Sequence, residues 1–285
     1  MAASLHRLLR RPGRAAIEHA LAHAPTRRLL LDALARRWVR KLPAWMGDPV
    51  FLHVAEYTRR HPEFFAQLER QCGTRSNEEF QSAFWGSDFA YFFLEQTENA
   101  FWQKDAYRLG RDIANEFGAV SYLDVACGYG AFSRWLKETH PDATVCATDI
   151  AESVLLEAAR RAVAQRLDIA FARVSATRLL DRFAPRSFDV VVCLEALNYV
   201  ADGLEAMRQM VAVARRCVFI MTPIGSIAHA EYRRMEAPVA GHDYDRFWIH
   251  PLLAYARALG VTPYRSGPTG ARCFFIELRR EANAA

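Results

Sequence analysis

Asp124, Asp149 and the glycines at 128 and 130 are residues of this 285-residue chain whose types and spacing suggest chemistry. The run Tyr122-Leu123-Asp124-Val125-Ala126-Cys127-Gly128-Tyr129-Gly130-Ala131-Phe132 begins apolar, breaks into a glycine loop and resumes with helical periodicity. A strand that turns into a helix through such a loop leaves backbone N–H groups free at the helix start. Gly128 and Gly130 permit backbone angles and a close ligand approach that a side chain would block. Asp149 stands 21 residues past Gly128, at the end of the next apolar run. A carboxylate there can accept both hydroxyls of a ribose. Loop and distal acid together suit a nucleoside-containing cofactor.

A dinucleotide site would require G-x-G-x-x-G, but the sixth place here is Ser133. With Asp124 ahead of it, the loop instead resembles motif I of the class I S-adenosylmethionine (SAM)-dependent methyltransferases, acidic-x-G-x-G-x-G. Asp124, Gly128 and Gly130 match, and Ala126 departs from the first glycine. The resemblance continues in order over residues 120–278. Asp149 looks like the family's ribose-binding acid, with Ile150 placed to cover the adenine. Val174-Ser175-Ala176 stands where the family often has Gly-Asp-Ala, so Ser175 replaces the acid expected at the adenine amino group. The run from Ser187 through Glu195 to Val200 resembles the fourth-strand motif, with Tyr199 in place of a frequent histidine. Residues 217–222 with Pro223 resemble the fifth strand. Residues 261–265 and 272–278, joined through Gly267-Pro268 and Gly270, resemble the closing antiparallel pair.

The resemblance implies SAM as cofactor and S-adenosylhomocysteine (SAH) as product. Asp124, Ala126, Gly128, Gly130, Asp149, Ile150, Ser175, Ala176 and Glu195 then form the cofactor side. The activated methyl comes from the cofactor, so the protein has to align an acceptor, exclude water and take up a proton where the acceptor carries one. Residues 224–250, after the fifth strand, carry His229, Tyr232, His242, Tyr244, Trp248 and His250. Long loops at this end of a sheet often set specificity. His242 and His250 are candidate general bases because imidazole titrates near neutral pH, and Tyr199 is a third. No cluster has metal-ligand spacing, and no metal is expected.

The elements that must hold these residues follow from pattern. From Val120 onward, β-rich runs (121–125, 144–148, 169–174, 189–194, 217–222, 272–278) alternate with amphipathic stretches (132–139, 152–166, 203–215). Such alternation predicts an α/β parallel sheet with helices on both faces and ligands at the carboxyl ends of the strands. The resemblance implies the doubly wound, mostly parallel seven-stranded sheet of a Rossmann-like methyltransferase fold. Residues 1–118 read as a helical N-terminal region, a cap or a dimerisation element, and 119–285 as the SAM-binding domain. An aromatic cluster (Phe80, Phe84, Trp85, Phe89, Tyr91, Phe92, Phe93, Phe101 and Trp102) suits a helical core or the roof of a ligand pocket.

The hydrophobic fraction of 52% and charged fraction of 24% fit a globular protein with a sizeable core. No apolar run reaches the ~18 residues of a membrane span. Residues 1–41 hold ten Lys/Arg against Glu18 and Asp32, a local charge of +8 that leaves −3 for the rest. A solvated helical face accounts for this, as would an arm for anionic surfaces. Met1 to Arg14 lacks acids, as a transit peptide would, but the Ala/Arg bias runs well past it. Six cysteines without a C-x-x-C pair read as reduced core thiols in the cytoplasm. The expected activity is methylation of a small-molecule acceptor, in specialised (natural-product) metabolism. Two alternatives stay open. One is a methyltransferase fold that runs a non-methylating reaction or serves as a binding subunit, suggested by Ala126 and Ser175. The other, weaker one is an RNA or protein methyltransferase using the basic arm. Against the latter, Leu194-Glu195-Ala196-Leu197 stands where adenine N-methylation would want an aromatic-proline tetrapeptide. The N-terminal helices are candidates for a homodimer contact.

Overall fold

The computed structural model describes residues 77–87, 90, 94, 98, 105–223, 250–269 and 273–280. Ahead of the sheet, the described residues include the helices α1 (Asn77–Trp85) and α2 (Asp105–Phe117). Then follow β1 (Ser121–Val125), α3 (Ala131–Thr139), β2 (Thr144–Asp149), α4 (Glu152–Ala164), β3 (Ala170–Arg173) and β4 (Phe188–Leu194). α5 (Gly203–Val213), β5 (Ala214–Pro223), α6 (Leu252–Ala258), β6 (Pro263–Thr269) and β7 (Cys273–Arg279) complete the order.

The seven strands form one sheet in the order β3-β2-β1-β4-β5-β7-β6. The first five are parallel, and β7 runs antiparallel between β5 and β6. This is the doubly wound, mostly parallel fold that the alternation and the resemblance together imply. Central strands covered on both faces become continuous apolar runs rather than alternating ones. β4, Phe-Asp-Val-Val-Val-Cys-Leu, is buried at every position except Asp189, which is half-buried. One core packs Leu123, Val125, Val191 and Ile220 against Met207 and Met210 of α5. The other packs Tyr122, Val190, Val192 and Phe219 against Phe132 and Leu136 of α3 and Ile113 and Ala114 of α2.

α2 therefore belongs to the core of the sheet, although the sequence reading grouped it with the N-terminal region. A Cβ on its Gly110 would stand 3.1 Å from the Phe132 ring and 3.3 Å from Leu194, so the missing side chain lets the helix lie close. The Tyr122 hydroxyl donates toward the carbonyls of Gly118 (2.7 Å) and Ala114 (3.1 Å), fastening the end of α2 to β1. Arg279 of β7 pairs with Glu116 of α2 through both oxygens, and its guanidinium lies over the Phe117 ring.

Two boundaries differ from the pattern. α5 ends at Val213 and β5 begins at once, because Ala214 already pairs with Phe188 of β4. Arg215, which fits a helix face by spacing, becomes a strand residue paired with Asp189 at 2.8 Å. Gly267-Pro268 reads as a turn but lies within β6, opposite Phe275 and Phe274. β6 is an edge strand, where a proline without an N–H breaks no ladder. Among the described residues, no helix is long and apolar enough to cross a membrane.

Candidate functional site

β1 lies between β2 on one side and β4 on the other, so the chain winds outward in opposite directions from it. At that reversal the loops leaving the strands part, and the opening lies at their carboxyl ends. The loop after β1 fills this position with left-handed backbone at three alternate residues: Ala126 at φ 57°, Gly128 at 56° and Gly130 at 76°. Ala126 thus holds a conformation that glycine adopts freely, at the steric cost of its Cβ.

Backbone and side-chain bonds fix the loop in place. Cys127 N donates to the Thr148 carbonyl (2.8 Å), and Gly130 N donates to the Cys127 carbonyl (3.0 Å). Gly128 N donates to Asp149 Oδ2 at 3.1 Å, which joins the two motifs read 21 residues apart. Arg134, itself buried, donates to the Tyr129 carbonyl and to Glu98. Arg161 lies over the Tyr129 ring, 4.5 Å from its centroid.

Two carboxyl groups stand under and beside this loop. Asp124 is 3% exposed and accepts from Ser133 Oγ at 2.6 Å. Burial pushes its pKa up to about 7, opposed by the Ser133 bond and reinforced by the charge of Asp149. Asp149 also accepts from Ala151 N at 3.0 Å; burial raises its pKa while these backbone bonds hold it down. Its two oxygens keep further lone pairs for hydroxyl donors. Ser133, which the sequence reading saw only as a departure from the dinucleotide pattern, is the residue that orients Asp124.

Glu195 begins the loop after β4 at φ 57°, with its N–H on the Met221 carbonyl (2.8 Å) and its carboxylate accepting from Cys273 Sγ at 3.7 Å. Tyr107 of α2 is buried beside these acids. Burial first, then the charges of Glu195 and Asp124, hold its phenol far above the ordinary range, so it remains a proton donor. Neither α2 nor Tyr107 carries a motif, and only the packing brings them to the site.

Residues from α1 onward lie over the same loops. Ser82 Oγ donates to the Ile150 carbonyl (3.3 Å), and Glu78 accepts from Ser175 Oγ and from Thr177 Oγ1 (2.7 Å). Leu94 packs with Tyr129, Ala151 and Val154 and lies so near Gly128 that a Cβ there would meet it at 3.1 Å. Phe80 and Phe84 of the aromatic cluster are buried, and the Trp85 ring meets that of Tyr199 edge-on, centroids 4.7 Å apart. Phe89, Tyr91, Phe92, Phe93, Phe101 and Trp102 lie outside the described residues, as do Ile224 to Ile249 with His242.

The structure brings together Asp124, Ala126, Gly128, Gly130 and Asp149, with Ile150, Ser175 and the buried Ala176 beyond them and Glu195 across from them. Tyr199 sits on the loop after β4, half-buried. His250 differs from the expectation of a general base. It is buried, with Nε2 at 3.0 Å from the Val200 carbonyl and Nδ1 at 3.1 Å from the Tyr255 hydroxyl. Burial also lowers its pKa. Both ring nitrogens are engaged, so the histidine pins α6 to the loop after β4. Two polar atoms at the same end of the sheet, Asn198 Oδ1 and Thr222 Oγ1, are buried without a hydrogen-bond partner among the described residues, a condition a bound polar group relieves.

A left-handed glycine loop, a distal acid that touches it and a second buried acid at the switch point define a nucleoside-cofactor site on a doubly wound sheet. A methyltransferase domain family model matches residues 123–220. The chain is 31% identical over 169 residues to a ubiquinone biosynthesis O-methyltransferase of Bordetella parapertussis, covering 55% of this chain and 68% of that protein. A protein of the same name from Pseudomonas fluorescens is 30% identical over 158 residues, and the match spans 49% of this chain and 63% of that one. Among solved structures, magnesium protoporphyrin IX methyltransferase of Synechocystis with bound SAH shares the fold at a TM-score of 0.55 and 16% identity, covering 72% of this chain and 100% of that one. The chain belongs to the class I SAM-dependent methyltransferases, and the cofactor of that family is SAM.

The residues present fit that group. SAM combines ribose hydroxyls, a base and a cationic amino-acid end, and the site offers a carboxylate for the first and buried acids for the last.

Proposed function

We propose that this protein transfers the methyl group of SAM to an oxygen of a small-molecule acceptor. The observation that carries the reading is the bond between Gly128 N and Asp149, which sets the ribose acid against the glycine loop. When bound, SAM supplies a methyl carbon activated by its sulfonium. Asp149 accepts the ribose hydroxyls, Ile150 covers the base, and Asp124 and Glu195 offer negative charge to the cationic end. Tyr107, kept protonated by burial and by the charges of Glu195 and Asp124, adds no charge of its own beside them. Leu94 and α1 exclude water from the loop. Oxygen as the acceptor atom is supported by the O-methyltransferase names of the relatives.

Tyr199 and His242 are the proposed bases for the acceptor proton. Tyr199 is supported by its position past β4 and its contact with Trp85. The acceptor is a compact, partly apolar compound of specialised metabolism, which suits the aromatic rings of α1. Cys127, Cys146, Cys193 and Cys217 are thiols not joined in disulfides among the described residues, which supports the proposed cytoplasmic location.

The test is calorimetric titration of the protein and an Asp149→Ala variant with SAM and SAH, followed by mass spectrometry of candidate acceptors. The expected outcome is saturable binding by the parent, weakened at least ~100-fold in the variant, and a product 14 mass units heavier. A folded parent that binds neither nucleoside overturns the reading.

A further inference from the structure

Glu78 lies in the first turn of α1, outside the doubly wound sheet, and is 97 residues from Ser175 in the chain. Nevertheless its Oε1 accepts from the hydroxyls of both Ser175 and Thr177, just past the tip of β3. One turn further along α1, Ser82 holds the Ile150 carbonyl past the tip of β2. The helix is therefore attached to the two loops that flank the base end of the proposed cofactor site.

The chemistry of this cluster is one-sided. A carboxylate only accepts, and each hydroxyl has a single proton to give. The two hydroxyl oxygens lie 2.8 Å apart, and Thr177 N donates to Ser175 Oγ at 3.3 Å. When both hydroxyl protons point at Glu78 Oε1, one lone pair of Ser175 is therefore taken, and the remaining lone pairs of Ser175 and Thr177 face anything else that approaches. Glu78 Oε2 has no hydrogen bond among the described residues. Together these oxygens form an acceptor surface next to Ile150. A purine whose ribose is held by Asp149 can meet that surface with a 6-amino group, which donates. A 6-oxo group there would set lone pair against lone pair, and an unpaired polar contact of that kind is how a site rejects a close analogue.

We infer that Glu78, with Ser175 and Thr177, reads the 6-amino group of the cofactor's adenine, so that the acid absent from position 175 is supplied from the N-terminal helix. The inference rests on the proposed placement of the ribose on Asp149. It makes α1 part of the nucleoside site, and Glu78 a specificity residue.

The experiment titrates the full chain, Glu78→Gln and the double variant Glu78→Gln/Ser175→Asp with SAH and with S-inosylhomocysteine, and records the thermal midpoint of each. The parent is expected to favour SAH at least ~10-fold. In Glu78→Gln the preference narrows or reverses, because the amide can donate to a 6-oxo group. Adding Ser175→Asp restores it. If Glu78 only docks the helix, Glu78→Gln lowers the midpoint and weakens both ligands equally, and the unchanged ratio overturns the inference. Equal binding of the two nucleosides by the parent overturns it too while leaving the SAM reading intact. Failure of the parent to bind either overturns both.

Discussion

A carboxyl group buried beside a second one holds its proton longer than it would in water, and Asp124 is so placed. Its pKa of about 7 stands above the ordinary 3.8, so the folded chain binds more protons than the unfolded one between those limits. Stability contributed by this group is therefore greatest in acid and declines as pH rises through about 4 to 7. A bound cation favours the charged form. SAM binding at pH 6 is accordingly expected to release protons, measured by calorimetry in buffers of different ionisation enthalpy. Asp124→Asn should reduce that release, and Ser133→Ala, which removes the 2.6 Å bond, should move the affinity midpoint to higher pH. The loop makes a second prediction. Gly128→Ala forces a Cβ into left-handed backbone and against Leu94, at a cost of about 1–2 kcal/mol in urea unfolding. Ala126→Gly relieves the same strain and should be neutral or stabilising by up to ~1 kcal/mol. These loop positions were legible in the sequence because a strand, glycines and a distal acid are local signals with one geometric solution. Ser133 and Glu78 were not, because their roles exist only once residues 9 and 97 positions away are folded against them.

Elements were legible wherever burial alone sets the period. β1 and β4 are covered on both faces, and their apolar runs match the strands to within a residue. The end of α5 was not, because helix spacing continues through Arg215 and only pairing with β4 stops it. The surroundings of His250 were illegible for a related reason: spacing cannot say whether an imidazole faces solvent or a carbonyl. In the fold it lies directly over Gly203, where a Cβ would meet three ring atoms at 2.3–2.7 Å. The ring is held by two hydrogen bonds and cannot easily give way. Gly203→Ala is expected to destabilise the protein by about 2–3 kcal/mol in chemical denaturation. An unchanged midpoint would show that α6 is free to shift.

At the scale of the molecule, the described part of the N-terminal region bears on the site through Glu78, Ser82, Trp85 and Leu94. A ligand that rests on Ile150 and the glycine loop must therefore alter the free energy of opening α1. Saturating SAH is expected to slow hydrogen exchange in residues 77–87 at least ~10-fold, more than in the β6–β7 hairpin. Equal protection of both would show that α1 takes no part. The sequence alone placed a helical region before the sheet and marked its aromatic residues. Which of its side chains approach the cofactor loops depends on the docking of one element on another, and no periodicity records that.

The fastening of α2 has a consequence for how such proteins are taken apart and recombined. Tyr107, Ile113 and Ala114 close one face of the sheet, and Arg279 at the end of the last strand grips Glu116. A junction placed after Gly118 would carry the sheet away without the helix that seals it, stripping the cover from Tyr122 and Phe219 and leaving Arg279 without Glu116. The natural seam for trading N-terminal regions lies ahead of Asp105, so what is exchanged includes the helix α1 that carries Glu78, while the wall of the core stays with the sheet.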